Sequence, residues 1–315
     1  MRLLRLVPDG TNIDFVSKRF VAFAFTGALF VATILSLLTQ GLNLGIDFRG
    51  GILIEVQAPQ SIDTGALRSQ ISGLNLGAVE LQQFGQPNDA LIRLQQQEGG
   101  EAANRAAVQK VRDNLGTGYE YRRIELVGPK VGGELLRDGL IATALAILGI
   151  TLYVAFRFEW QFGIAALIAT FHDVAVTAGL FSIFQLEFDL TSVAALLTLA
   201  GYSINDTVVV FDRIRETLRR HKSVDMKWIV NDSVNATLSR TILTSGTTLV
   251  AILPFLLFGG HALYTFTLAL TFGILMGTYS SIFVAGSILL YLKPLRGKLA
   301  SPSGTKEATA AGEGR

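Results

Sequence analysis

The sequence predicts a membrane protein built as a bundle of six transmembrane α-helices, with a small α+β domain of ferredoxin-like fold outside the cytoplasm. Half of the 315 residues are hydrophobic and only 17% are charged, whereas roughly a quarter are charged in an ordinary soluble domain. Six stretches are predominantly apolar over roughly 20 residues, the length that crosses the hydrocarbon core of a bilayer. One long polar segment separates the first two stretches and has the patterning of a folded domain.

The composition also excludes several classes of function. A net charge of +2 is too small to indicate a nucleic-acid partner. Because the chain has no cysteine, it can form no disulfide, no cysteine metal site and no thiol nucleophile. No cofactor and no metal are predicted.

The six predicted spans follow the apolar stretches. They cover residues 20–40, 138–157, 161–184, 189–211, 238–258 and 263–292. Lys18 and Arg19 form a basic flank before the first span, as in a signal peptide, but the apolar part is too long and no A-x-A cleavage site follows. The first span is therefore predicted to be a retained membrane anchor.

The positions of lysine and arginine predict that both termini lie in the cytoplasm. Basic residues occur before span one, between spans two and three, between spans four and five, and after span six, whereas the connections 185–189 and 258–262 contain none. Cytoplasmic connections carry the excess of positive charge. This orientation assigns residues 1–19, the loop 212–237 and the tail 293–315 to the cytoplasm. The tail is small and polar without apolar periodicity, so it is predicted to be disordered.

Residues 41–133 are predicted to form a folded domain outside the cytoplasm. Its strands and helices are expected, in chain order, at 51–57, 61–74, 78–84, 90–96, 101–115 and 119–127. The resulting order β-α-β-β-α-β is that of a ferredoxin-like fold, which hosts many functions. The stretch 128–137 (GPKVGGELLR) is predicted to connect this domain to span two, with its glycines permitting a hinge.

An aspartate lies inside the fourth span, where a charged and unpaired carboxylate is costly. Asp206 precedes Arg213, the first basic residue on the cytoplasmic side, by roughly 10 Å of helix, which places it within the hydrocarbon. Ser192, Tyr202 and Ser203 share its helix face, so this face is predicted to look into the bundle. Ionisable residues at this depth often mark ion pathways. The alternative is that Asp206 only caps or pairs structurally.

The fifth span supplies a basic residue, Arg240, at a depth similar to that of Asp206. Thr244, Thr247 and Thr248 lie on its helix face, and Arg240 and Asp206 are predicted to meet across a helix–helix contact. Burial favours the protonated carboxyl group and a nearby arginine favours the carboxylate, so small movements of Arg240 can decide whether Asp206 holds a proton. That is the chemistry of a proton relay. The alternative is that Arg240 reaches back to the cytoplasmic interface.

Two further polar features lie in spans three and six. His172 and Asp173 sit midway along span three, and either belongs to the proton route unless Asp173 instead fixes neighbouring helices by hydrogen bonds. In span six, small residues at a spacing that lets helices approach closely indicate helix packing. These residues are Gly273, Gly277, Ser280 and Ser281.

The chain resembles the SecF family, whose members are subunits of the bacterial SecD–SecF protein-export complex within the resistance-nodulation-division superfamily. The motifs that carry this resemblance are GYSINDTVVVFDRIRE (201–216), LSRTILTS (238–245), GTYSSIFVA (277–285), FHDV (171–174) and LGIDFRGG (44–51). The resemblance covers all six spans and the domain between the first two, but not the tail.

The resemblance implies a function in the bacterial inner membrane. Proteins of this family use the proton-motive force to help draw preproteins from the SecYEG channel on the periplasmic side, after the SecA motor has acted. The implied partners are SecD, SecYEG with SecA, YajC, YidC and the translocating preproteins, and no enzymatic activity is implied. In the family's motifs, the proton-conducting site corresponds to Asp206 and Arg240 of this chain. SecD contributes a further aspartate.

Three other functions fit parts of the sequence. An intramembrane aspartyl protease would pair Asp173 with Asp206, but its G-x-G-D pattern is missing and a nearby arginine favours two ionised carboxylates over a shared proton. A small-molecule drug–proton antiporter uses the same proton chemistry, but it would carry larger periplasmic domains and both transmembrane halves in one chain. A passive scaffold leaves Asp206, Arg240 and the pair His172 and Asp173 unexplained.

Overall fold

The structure is a computed structural model that describes residue 8 and residues 11–83, 85–221 and 223–292. The predicted cytoplasmic N-terminus lies partly outside these described residues. The predicted disordered tail, 293–315, lies wholly outside them.

The helices and strands are numbered in chain order. The helices are α1 (Arg19–Thr39), α2 (Ile46–Arg49), α3 (Thr64–Ser72), α4 (Gly100–Leu115), α5 (Pro129–Arg157), α6 (Trp160–Ile183), α7 (Leu190–Arg220), α8 (Met226–Phe258), α9 (Gly260–Tyr279) and, after a π-helical segment at Ser280–Ala285, α10 (Gly286–Ile288). The strands are β1 (Asn43–Leu44), β2 (Gly51–Gln57), β3 (Val79–Gln83), β4 (Asp89–Leu94), β5 (Glu120–Val127) and β6 (Glu187–Phe188).

Six of the helices in the described part of the chain are long and apolar enough to cross a membrane. They are α1, α5, α6, α7, α8 and α9, the last continuing into the π-helical segment and α10. This confirms the prediction of a multi-pass helical membrane protein. The helices α6 and α7 lie inside the bundle, because α6 contacts α1, α5, α7 and α9, and α7 contacts α5, α6, α8 and α9. Side chains on these two helices can therefore be buried on several sides.

Two connections differ from the sequence-based expectation. The stretch 128–137, expected to act as a hinge, is helical from Pro129 and continuous with α5, and at Gly132 the helix passes so close to α2 that a Cβ would lie 2.7 Å from the carbonyl oxygen of Phe48. The loop 212–237 is largely helical, because α7 runs on to Arg220 and α8 begins at Met226. Ion pairs of Glu216 with Arg213 and Arg220 support the extension of α7.

The segment between α1 and α5 forms a separate domain, called the soluble domain below. It is built on a four-stranded sheet in the order β3-β4-β2-β5, with every neighbouring pair antiparallel. One face packs on α3 and α4 through a core that includes Ile54, Ile92 and Val111. On the opposite face, Leu53 of β2 and Leu91 of β4 pack against Ile46 of α2. Both central strands are buried on two faces, which explains why GILIEVQ reads as a nearly continuous apolar run.

A second, very small sheet joins the soluble domain to the bundle. Strand β1, which leads out of α1, pairs in parallel with β6, which lies between α6 and α7. Next to it, the ring of Phe188 packs on the rings of Phe48 and Phe181, and this aromatic group belongs to the core cluster around the beginning of α7. The start of α7 is therefore held from the soluble side as well as from within the bundle.

Candidate functional site

The central helix α7 carries a buried carboxyl group. Asp206 is 2% exposed, and its two oxygens face α8. The hydroxyl of Thr244 donates to Oδ1 at 3.3 Å, and the hydroxyl of Ser245 donates to Oδ2 at 3.4 Å. Hydrogen bonds from hydroxyl groups are usually about 2.7–2.8 Å long. The carboxyl group of Asp206 is therefore enclosed but only loosely held.

The hydroxyl groups near Asp206 continue towards α9. The Oγ of Ser245 lies 2.7 Å from the Oγ1 of Thr278, and the hydroxyl of Tyr202 donates to Ser245 at 3.4 Å. Hydroxyl groups can both donate and accept, so such a chain can pass a proton as well as a hydrogen bond. Ser245 and Thr278 escaped the sequence analysis, although both fall within the quoted motifs 238–245 and 277–285 and a hydroxyl in an apolar span is a visible signal.

Arg240 lies one turn before Thr244 on α8, and its side chain is exposed. Among the described residues no ion pair joins Arg240 to Asp206, so α7 and α8 meet at this level through Thr244 and Ser245 instead. The expected direct contact between the two side chains is thus replaced by a layer of hydroxyl groups with the arginine beside it.

Asp173 of α6 is held quite differently, on the other side of α7. It is fully buried, and its Oδ2 accepts hydrogen bonds from Ser203 of α7 at 2.5 Å and from Ser280 of the π-helical segment at 2.7 Å. Its Oδ1 lies 2.9 Å from Nδ1 of His172. Both hydroxyl contacts are at or below the usual length of about 2.7–2.8 Å for a hydroxyl hydrogen bond. Asp173 therefore ties three helical segments together.

His172 is also buried, at 3% exposure, and contacts Asp173 through one ring nitrogen. Its other nitrogen, Nε2, is buried and has no hydrogen-bond partner within the described part of the chain. Residues adjacent in a helix point about 100° apart, and the structure nevertheless brings these two side chains into contact. The ring is oriented by Asp173 and does not reach Asp206.

The small residues of the sixth span lie where α9 and the π-helical segment cross α7. A Cβ on Gly273 would come 2.5 Å from a methyl carbon of Leu199, and a Cβ on Gly277 would come 3.3 Å from the Cβ of Ser203. Ser281 of the π-helical segment lies 3.0 Å from the hydroxyl of Thr207. The π-helical segment, which the sequence analysis did not anticipate, turns Ser280 towards Asp173 and Ser281 towards Thr207.

The two intramembrane carboxyl groups do not contact each other. Among the described residues, the hydrogen-bond partners of Asp173 and those of Asp206 are different side chains. The two carboxyl groups therefore lack the shared-proton geometry of an aspartyl protease. Within the same part of the chain, no group of three or more histidine, aspartate or glutamate side chains is arranged to hold a metal ion.

Comparison with known families gives two matches. The family profile described as "Protein export membrane protein SecD/SecF, C-terminal" matches residues 107–294, and the profile described as "SecD/SecF GG Motif" matches residues 35–61. Together they include α7, α8, α9 and the segment 44–51.

Comparison with individual proteins gives long matches. The chain is 44% identical to "Protein translocase subunit SecF" of Cereibacter sphaeroides, over 97% of this chain and 98% of that one. It is 40% identical to "Protein translocase subunit SecDF" of Brucella abortus, over 93% of this chain and 39% of that protein. The crystal structure of SecDF from Thermus thermophilus, a translocon-associated membrane protein, matches with a TM-score of 0.83 and 35% identity, over 90% of this chain and 39% of that one.

Proposed function

This chain belongs to the SecD/SecF family of protein-export membrane proteins, and we propose that it is the SecF-type subunit that uses the proton-motive force to assist protein export across the bacterial inner membrane. Both termini lie in the cytoplasm, and the soluble domain, with its ferredoxin-like fold, lies in the periplasm. The strand order β3-β4-β2-β5 supports that fold for the domain, as does the position of its two helices, with α3 following β2 and α4 following β4.

The observation that carries the proposal is the setting of Asp206. A carboxyl group that is enclosed at membrane depth and accepts only two long hydrogen bonds can gain or lose a proton without breaking a strong local network. Asp206 is therefore the relay group and Arg240 the charge that favours its ionised form. His172 and Asp173, which are tied into close contacts, hold α6, α7 and the π-helical segment together.

The energy available is sufficient for mechanical work on the domain. One proton crossing a potential of 100 mV releases about 2.3 kcal/mol. Two packings of the same elements commonly differ by only a few kcal/mol. Protonation of Asp206 can thus shift α7 relative to α8, and the soluble domain braces or carries the preprotein during the late stage of export.

The partner that completes the transporter is SecD. The chain spans 39% of the Brucella SecDF and of the Thermus SecDF, and in this proposal SecD supplies the other half of the transporter. The helices α5 and α8 bury little of their apolar surface within this chain, which leaves faces for lipid and for that subunit. SecYEG with SecA, YajC, YidC and translocating preproteins are the further partners of the assembly.

The chain is an accessory subunit and not an enzyme. A drug–proton antiporter is the second candidate, because it would use the same carboxyl group. The two are distinguished by the cargo of the soluble domain, since an export subunit contacts an unfolded polypeptide and an antiporter contacts a small molecule.

The test uses inner-membrane vesicles that contain SecYEG, SecA and SecD, with or without this chain, and follows completion of translocation of a labelled preprotein. We expect the chain to speed completion only while a proton gradient is present, and crosslinkers on the soluble domain to capture the preprotein. The same rate with the gradient collapsed would exclude proton coupling. Absence of crosslinks to a stalled preprotein would favour a domain that only stabilises the complex.

A further inference from the structure

The segment LGIDFRGG (44–51) holds the beginning of α7. The strand pair places Asn43 opposite Glu187, and the amide of Gly45 donates to the carbonyl oxygen of Phe188 at 2.8 Å. The carboxylate of Asp47 accepts a hydrogen bond at 3.0 Å from the amide of Leu190, the first residue of α7. The first amide groups of a helix have no partner within the helix, so Asp47 supplies one from outside.

One ion pair connects the β1–β6 strand pair to a central strand of the soluble domain's sheet. Nη2 of Arg93, on β4, lies 2.8 Å from Oε2 of Glu187, on β6, and Nη1 donates to Oδ1 of Asn43 at 3.3 Å. Glu80 lies 3.8 Å from the same guanidinium group. The side chains of Arg93 and Glu187 are each only 11% exposed. The contact of Nη2 with Glu187 is an ion pair whose angles do not meet those of a hydrogen bond.

The surroundings make this ion pair hard to replace by water. Burial raises the pKa of Glu187 above its ordinary value, and the charge of Arg93 opposes that rise. A Cβ on Gly45 would lie 3.0 Å from Oε1 of Glu187, so the glycine leaves the room that the carboxylate occupies. A buried charge that loses its partner is strongly unfavourable. Neither side chain can move away alone.

We propose that Arg93 and Glu187 are positioning residues that lock the soluble domain to the start of α7, so that a displacement of α7 moves the domain as one body. About 24 Å of continuous helix separates Leu190 from Asp206 at 1.5 Å per residue, which makes α7 a stiff lever between the relay group and the domain. The inference rests on the proposed proton-driven function, since it assigns the route by which protonation reaches the preprotein.

The experiment reverses the charges. Arg93→Glu, Glu187→Arg and the double variant are reconstituted with SecD and SecYEG in vesicles, where proton uptake and preprotein translocation are both measured. The control is Arg105→Glu, which breaks an ion pair with Glu101 that is about as well formed but exposed, on α4 of the same domain.

We expect each single reversal to keep its assembly with SecD and its proton uptake, and to lose export stimulation about tenfold, within the range by which mutations change coupling between two sites. The double variant restores stimulation, and the control behaves as the wild type. A structural role alone would lower proton uptake together with export. If a single reversal fails to assemble, Arg93→Gln, which removes the charge at similar size, is measured against the same expectations.

Wild-type export by either single reversal, a parallel loss of proton uptake, or an assembled double variant without restored stimulation would overturn the inference. The wild-type protein measured alongside separates this result from a failure of the proposed function. If the wild type itself shows no proton-dependent stimulation, the proposed function fails, and the inference fails with it.

Discussion

Asp173 and Asp206 are the same residue type at membrane depth, on neighbouring helices, and they are bound in opposite ways. Asp173 accepts hydrogen bonds of 2.5 and 2.7 Å from Ser203 and Ser280, from two different helical segments. Asp206 accepts bonds of 3.3 and 3.4 Å from Thr244 and Ser245, which are adjacent on one helix. Burial is almost equal, since Asp173 is 0% and Asp206 is 2% exposed.

Burial alone therefore does not identify a proton-relay group. Short bonds from several elements fix helices in place, whereas long bonds from a single element leave the side chain loosely held. The two regions therefore predict two kinds of mutant. Near Asp206, changes of charge should abolish coupling and leave the assembly intact. Near Asp173, changes that remove acceptors should weaken the assembly.

The largest effect is expected from Asp206→Asn. The amide keeps the size of the side chain and can still bond to Thr244 and Ser245, but it cannot take up and release a proton. We expect proton-dependent export stimulation to vanish while insertion and SecD binding remain, as measured by translocation in vesicles and by copurification. Asp138→Asn, at a 62% exposed carboxylate on α5, is the matched control. Normal stimulation by the Asp206 variant would remove it from the proton route.

The next effect is expected from Arg240→Met, which keeps an apolar stem and removes the charge. Without that charge the ionised carboxylate is disfavoured, so we expect export stimulation and proton uptake to fall about tenfold, with Arg240→Lys intermediate. Arg137→Met, on an exposed side chain, serves as the control. If the methionine variant kept full proton uptake, Arg240 would only reach the interface, and the coupling to Asp206 would be wrong.

A smaller functional effect is expected at Asp173, together with a larger effect on stability. Asp173→Ala leaves the hydroxyls of Ser203 and Ser280 and the ring of His172 without their acceptor, which should cost about 3 kcal/mol. Asp173→Asn keeps one acceptor oxygen and should export at near the wild-type rate. Thermal unfolding in detergent and vesicle export together separate the two. Complete loss of export by a stable asparagine variant would make the two regions equivalent.

The smallest effect is expected at a third buried carboxylate, in the soluble domain. Glu55 is 7% exposed, and burial raises its pKa above the ordinary value of 4.5, against the opposing charges of Arg123 and Arg122. A raised pKa in the folded state means that stability is greatest below 4.5 and is lost as the pH rises through the higher folded value.

Glu55→Gln should remove this pH dependence and stabilise the full-length protein at neutral pH, because the amide has no charge to bury. The measurement is hydrogen exchange of β2 as a function of pH, with Glu101→Gln, 70% exposed, as the control. An unchanged or lower protection at neutral pH would show that Glu55 makes a favourable contact as an ion. Export should be unaffected, because this residue lies away from both carboxyl groups of the bundle.

Much of the architecture was predictable because it depends on local patterns. Apolar length sets the spans, and the strand and helix order of the soluble domain follows from periodicity, so the helices α1 and α6 and the strands β2 and β4 lie within a few residues of the prediction. The intramembrane Asp206 and Arg240 were visible because ionisable residues are rare in apolar spans. The family resemblance rested on contiguous motifs and was confirmed.

Other features depend on contacts between distant parts of the chain. Ser203, expected on the face of Asp206, serves Asp173 instead, and the hinge expected at 128–137 is part of a helix. The ion pair of Arg93 with Glu187 joins residues far apart in the chain, and no local sequence pattern predicts it. Hydrophobic periodicity reports which side of an element is buried, but the partner of a buried polar atom depends on how distant helices and strands are set against each other, to within about an ångström.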